Sequence, residues 1–95
     1  MSGNAGRQSF RIDTKRHEVY IGDYEVPLAP KEYTLLVALT ESGQTMSREA
    51  LAKIVSPRKK LVDLRTIDQH VSRLRLKMHG VDVVKTVKTR GYKIA

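Results

Sequence analysis

The sequence predicts an α+β fold: a small antiparallel sheet at the N-terminus, three helices, and a C-terminal β-hairpin. Three observations carry this expectation. Residues 10–28 alternate apolar with polar side chains and are broken by turn residues. Apolar residues then recur at helical spacing in three segments between Pro30 and Gly80. Finally, two short β-rich runs flank Thr89-Arg90-Gly91 near the C-terminus.

Taken in order, residues 1–8 mix Gly, Ser, Asn and Arg without periodicity, and read as a disordered arm or leader before a domain at 9–95. Phe10 and Ile12 share one side of a strand, as do Val19 and Ile21 of the next, and Gly22-Asp23 marks a hairpin turn into a third run. Pro30 suits the first turn of a helix that continues through residues 31–42, with Leu35, Leu36 and Leu39 inward, until Gly43 stops it. Ser47 is placed to cap a second helix that buries Leu51, Ile54 and Val55 and ends before Pro57. A loop over 56–62 follows.

The third helix, about 64–79, has the strongest pattern. Asp63 is placed to cap it, and Gly80 to end it. Ile67, Val71, Leu74 and Met78 recur at i, i+4, i+7 and i+11. At about 100° per residue these four fall within roughly 60° of arc, a narrow buried stripe. Opposite it lie Arg65, Gln69, Ser72, Arg73 and Leu76, with Arg75 and Lys77 on the flanks. Residues 84–88 and 92–94 read as the two strands of the final hairpin, and Tyr92 as a residue packed on the core.

Composition and charge narrow the function. The chain has 95 residues, 40% of them hydrophobic, and 29% charged, within the range of a globular domain. With no cysteine it can hold neither a disulfide scaffold nor a thiolate zinc site nor a cysteine nucleophile. No apolar run is long enough for a membrane span or a signal peptide, so a cytoplasmic location is expected, with no membrane partner. The net charge is +8, and its placement is uneven. Residues 1–52 hold six basic against seven acidic side chains, whereas residues 53–95 hold twelve against three. One face is therefore built for an anionic partner.

The residue types on the third helix identify the chemistry. Arg donates two hydrogen bonds to guanine, Gln can pair similarly with adenine, and short hydroxyls allow close approach to a groove floor. Two short helices, a loop, a basic helix and a hairpin carrying Lys85, Lys88, Arg90 and Lys93 are the order of a winged helix-turn-helix. Such a hairpin suits a minor groove or the neighbouring phosphates. One Phe and four Tyr provide no platform for stacking unpaired bases, which favours duplex DNA over single strands. His17, His70 and His79 form no metal-ligating or nucleophilic constellation, and no phosphate-cradling glycine loop is present. Neither an enzyme nor a cofactor is expected.

These residues also carry a family resemblance. Leu28-Ala29-Pro30-Lys31-Glu32-Tyr33-Thr34-Leu35-Leu36 resembles the LTPKEYELL opening of the OmpR/PhoB winged-helix domain, the DNA-binding half of many bacterial response regulators. Ser47-Arg48-Glu49 with Leu51 is similar to its SREELL helix. Residues 65–75, RTIDQHVSRLR, resemble RTVDVHISRLR, and residues 86–93, TVKTRGYK, resemble TVRGVGYR. The likeness implies a bacterial, two-component-like transcription regulator that binds duplex DNA. It implies base contacts from Gln69, Ser72 and Arg73, and backbone contacts from Arg65, Thr66 and Arg75; Lys77 is expected to contact DNA as well. Lys88, Thr89 and Arg90 would form the wing tip at the minor groove. It further implies weak head-to-tail pairs on direct repeats, and RNA polymerase as the partner of a loop that here contains Pro57, Arg58, Lys59 and Lys60. A receiver domain would be a separate unit.

Departures qualify the pattern. Gln69 stands where an aliphatic is common, which bears on base preference, and Ser56-Pro57 replaces a Trp-Gly. Ala29 replaces a capping Thr. Leu76 replaces a basic residue on the outer face, which points to a thymine methyl group or to a protein neighbour. Thr89 and Arg90 replace the Gly-Val of the wing turn. Arg58-Lys59-Lys60 replaces an acidic or polar stretch, so phosphates rival polymerase as its target. Two other functions stay open: a nonspecific nucleic-acid-binding protein, and a protein-interaction module that keeps the fold.

Overall fold

The computed structural model describes residues 10–95; the arm at 1–8 lies outside the described residues. Strands β1 (Phe10–Asp13), β2 (Glu18–Ile21) and β3 (Tyr24–Val26) form an antiparallel meander. The Asp13 carboxylate accepts from the Lys15 and Arg16 amides and so shapes the β1–β2 turn. Ile21 pairs with Tyr24, leaving a two-residue turn in which Gly22 takes a left-handed φ of 59°. Val19 and Val26 face the helices and are buried, as the alternating pattern requires.

Helix α1 (Pro30–Ser42) starts with proline at its first position. Ala29 has no side-chain acceptor to offer, so only half of a capping box forms: the Glu32 carboxylate accepts from the Ala29 amide at 2.9 Å. Gly43 closes the helix at φ 65°. Helix α2 (Arg48–Val55) is capped as expected by Ser47, whose hydroxyl accepts from the Ala50 amide at 3.0 Å. Ile54 departs from expectation: it is 42% exposed, and Ala52 takes its place in the core. The eight-residue helix meets its neighbours on a face narrower than its apolar content.

Helix α3 (Arg65–Lys77) is slightly shorter than its pattern, with Leu64 rather than Asp63 at the formal cap position. Asp63 nevertheless does the capping work. Its carboxylate accepts from the Arg65 amide at 3.0 Å, while its carbonyl accepts from the Thr66 amide in a tightened first turn. All four stripe residues are buried. They meet Leu35, Leu36 and Leu39 of α1 and Leu51 and Val55 of α2 in one core. Each of these side chains contributes about 1.5–3 kcal/mol of burial, which fixes the inner face of α3 and so turns its other face outward.

Strands β4 (Val84–Val87) and β5 (Gly91–Ile94) form the wing. Met46, just before α2, pairs with Tyr92 through bonds of 2.7 and 3.0 Å, which attaches the hairpin to the helical core. Gly91, at φ 139°, lies so close to Met46 that a side-chain carbon there would collide with the Met46 carbonyl.

Candidate nucleic-acid interface

The buried stripe of α3 determines what its outer face presents. Arg65, Gln69, Ser72, Arg73 and Leu76 are all exposed there, while Thr66 is half-buried at the edge. Among the described residues, the side chains of Gln69, Ser72 and Arg73 make no hydrogen bond or salt bridge to the chain, so their donors and acceptors stay available. Arg65 is engaged with Asp63 at 3.1 Å in a solvent-exposed pair. That hydrogen bond holds the Asp63 carboxyl below the usual carboxylate range and raises the Arg65 pKa. An exposed pair of this kind is weak, and a phosphate can displace the carboxylate.

The two flanks of α3 serve different neighbours. On the wing side, Arg75 Nη2 donates to the Val84 carbonyl at 3.0 Å and to Thr86 Oγ1 at 2.8 Å. Its guanidinium also stands 5.8 Å from the centre of the Tyr92 ring. Two turns earlier, Asp68 accepts from the Tyr92 hydroxyl at 2.6 Å and from Arg48 at 3.1 Å. Burial, together with the Asp68 hydrogen bond, pushes the Tyr92 phenol up to about 12, so it remains a donor through neutral pH. These contacts hold the wing at a set position beside α3. Between them opens a polar cleft of about 340 Å³, lined by Arg48, Asp68, Thr86, Arg90 and Tyr92.

The opposite flank faces α1. Here the Lys77 amine donates to Glu32 Oε1 at 2.7 Å, on the α1 side of the helix. Glu32 is only 2% exposed, and a buried carboxylate needs such a partner more than solvent does. His70 lies on this flank as well, with neither ring nitrogen hydrogen-bonded among the described residues. Burial lowers its pKa, and the charges of Lys31 and Arg73 lower it further.

At the wing tip Lys88, Thr89 and Arg90 are all exposed. Thr89 takes the left-handed φ of 64° that a glycine would accept more readily, and the Arg90 amide closes the turn on the Val87 carbonyl at 2.9 Å. Lys85 and Lys93 are cross-strand partners, a pairing of like charges that an anion would relieve. The loop at 56–62 exposes Pro57, Arg58, Lys59 and Lys60 and leads into the Asp63–Arg65 pair, so it lies at the N-terminal end of α3.

Arg48 joins the site without having been singled out by pattern. Its position directly after the Ser47 cap is visible in sequence, but its pairing with Asp68, twenty residues on, is not. Among the described residues, no group of three or more His, Asp or Glu side chains is gathered to hold a metal ion, and no helix is long and apolar enough to cross a membrane.

Three helices with an outward polar and cationic α3, a meander before them and a clamped basic hairpin after them define a winged helix-turn-helix domain of the kind that binds DNA. Comparison with known proteins identifies which kind. Residues 23–94 match the family described as "Transcriptional regulatory protein, C terminal", and the chain belongs to this OmpR/PhoB-type family of effector domains. The transcriptional regulatory protein SrrA of Staphylococcus aureus is 41% identical over 88 residues, covering 86% of this chain and 36% of SrrA. The chain thus spans about a third of the length of that relative. The Klebsiella pneumoniae RstA DNA-binding domain, solved in complex with the RstA box, is 32% identical, with a TM-score of 0.78 over 92% of this chain and 91% of that one. The DNA-binding domain of Bacillus subtilis CssR is 31% identical, with a TM-score of 0.79 over 92% of this chain and all of the other.

Proposed function

We propose that this domain binds duplex DNA sequence-specifically and thereby regulates transcription in the cytoplasm, with α3 in the major groove and the wing at the adjacent minor groove. The observation that carries the reading is the free outer face of α3. Gln69, Ser72 and Arg73 are exposed and uncommitted, opposite a stripe whose burial holds the helix in place. RstA supports it, as a relative solved with its DNA box.

In this reading Arg73 reads guanine, Gln69 reads adenine, and Ser72 lets the helix approach closely. Arg65 exchanges Asp63 for a phosphate, and Thr66 stands beside the backbone. Arg75 offers a phosphate the donors that Val84 and Thr86 leave free, while Lys88, Thr89 and Arg90 enter the minor groove. Lys77 belongs to the scaffold through Glu32 rather than to this contact set. Arg58, Lys59 and Lys60 extend the cationic surface toward flanking phosphates; a polymerase contact there would need an acidic counterpart. Two copies would sit head to tail on a direct repeat.

The test is selection from random duplex DNA near physiological salt, run in parallel for the parent protein and Arg73→Ala. The parent should enrich a motif repeated at about one helical turn, roughly 10–10.5 base pairs. The variant should blur one position of it and lose about 1–3 kcal/mol of discrimination. Retained DNA without any enriched motif would replace this reading with nonspecific binding, and no retained DNA would leave a protein partner for the basic half.

A further inference from the structure

The groove-reading polar residues leave one side chain of the outer face unaccounted for. Leu76 is 80% exposed and lies on the helix diametrically opposite the stripe of Ile67, Val71, Leu74 and Met78. It is the penultimate residue of α3, on the same side as Gln69, Ser72 and Arg73, and none of the described residues covers it. Its surroundings say what kind of surface would cover it. Ser72 and Arg73 lie one turn before it on the same face, both exposed and with no partner among the described residues. A single apolar group in a cationic and hydroxylic field does not match the apolar patch of a partner protein, which would strand those charges. It matches a surface that is anionic and polar but carries isolated methyl groups. The major groove is such a surface, and the thymine C5-methyl is the only methyl group it presents.

We infer that Leu76 is a specificity-determining residue that packs on a thymine C5-methyl group, adding one apolar element to the polar code of α3. The inference rests on the DNA-binding reading and names a contact within it. The contact prefers thymine at one position of each half-site. It requires no hydrogen bond, so it discriminates by the methyl alone. It lies about 10 Å along the helix from Gln69, at the roughly 1.5 Å rise per residue of an α-helix, and so reads a different base step.

Uracil pairs as thymine does and lacks only this methyl group, which makes it the direct probe. On the duplex enriched by the parent protein, each thymine is replaced singly by uracil, and dissociation constants are measured for the parent, Leu76→Ala and Arg73→Ala. For the parent, one thymine per half-site should weaken binding about fourfold on replacement, the value of about one buried methylene-sized group. Leu76→Ala should bind the thymine and uracil duplexes alike, whereas Arg73→Ala should bind both more weakly yet keep the fourfold ratio. If the parent is indifferent to uracil at every position, or Leu76→Ala retains the ratio, Leu76 does not read the methyl. In that event the enriched motif stands and only this inference falls; if no motif is enriched at all, both fall together.

Discussion

The Tyr92 hydroxyl of the wing donates to Asp68 Oδ1 of α3 at 2.6 Å, and Arg48 of α2 reaches the other oxygen of the same carboxylate at 3.1 Å. One carboxylate thus joins α2, α3 and the wing. Tyr92→Phe should remove the bond while leaving the ring in place and Asp68 still paired. The expected loss is about 1.5–3 kcal/mol, the scale of a hydrogen bond to a charged acceptor, measured by urea unfolding. DNA affinity should fall with it and base preference should not, because the wing is loosened while the outer face of α3 is unchanged.

Lys77 and Glu32 provide a second test, because one partner is buried and the other half-exposed. Lys77→Met strands the Glu32 carboxylate with little beyond the Ala29 amide, and should cost about 1–3 kcal/mol of stability. Adding Glu32→Gln should recover part of that loss, since it removes the stranded charge. Affinity for duplex DNA should change little in either variant, provided that the comparison is made below the unfolding transition. A large drop in affinity at full stability would return Lys77 to the contact set.

The wing turn contains two opposite backbone errors waiting to be made. Gly91→Ala forces a carbon onto the Met46 carbonyl at a φ that side chains rarely adopt, and should detach the hairpin. Loss of protection from hydrogen exchange at the Met46 and Tyr92 amides would register it. Thr89→Gly does the reverse: it relieves a β-branched residue at φ 64° and should add up to about 1 kcal/mol, read from the urea midpoint.

His70 makes stability depend on pH. Its pKa in the folded state is lowered, first by burial against α1 and then by Lys31 and Arg73, with Glu32 opposing. The unfolded chain therefore binds the proton more readily, and stability rises with pH where the two states differ. The contribution is complete above the ordinary histidine range near 6.5 and is lost as pH falls through the lower folded value. Melting temperature should decline from pH 7 to pH 5, and His70→Leu should flatten that part of the curve. An unchanged slope in the variant would assign the decline to carboxylates.

Much of this architecture is legible in the sequence because it is set by local rules. The Ile67, Val71, Leu74 and Met78 stripe predicts which face of α3 is buried, and all four are buried. Ser47 and Gly43 act where their chemistry places them. What local pattern does not reveal is pairing at a distance. Lys77 sits on a helix flank from which it could reach either solvent or α1, and only the packing of α1 brings Glu32 within 2.7 Å. The Arg48–Asp68–Tyr92 chain depends in the same way on how α2 and the wing meet α3. Ile54 shows the limit from the other side: an apolar residue at helical spacing is 42% exposed because none of the described elements covers that edge of α2.

The most direct test is to follow backbone amide resonances of the domain while titrating in the duplex that it selects. Shifts should concentrate on residues 65–76 of α3 and on Lys88, Thr89 and Arg90, with the β1–β3 sheet unaffected. They should also weaken steeply with added salt, as phosphate contacts displace counterions. Shifts confined to the sheet, or to the loop at 56–62 with α3 silent, would contradict the assignment of the outer face of α3 as the surface that reads DNA.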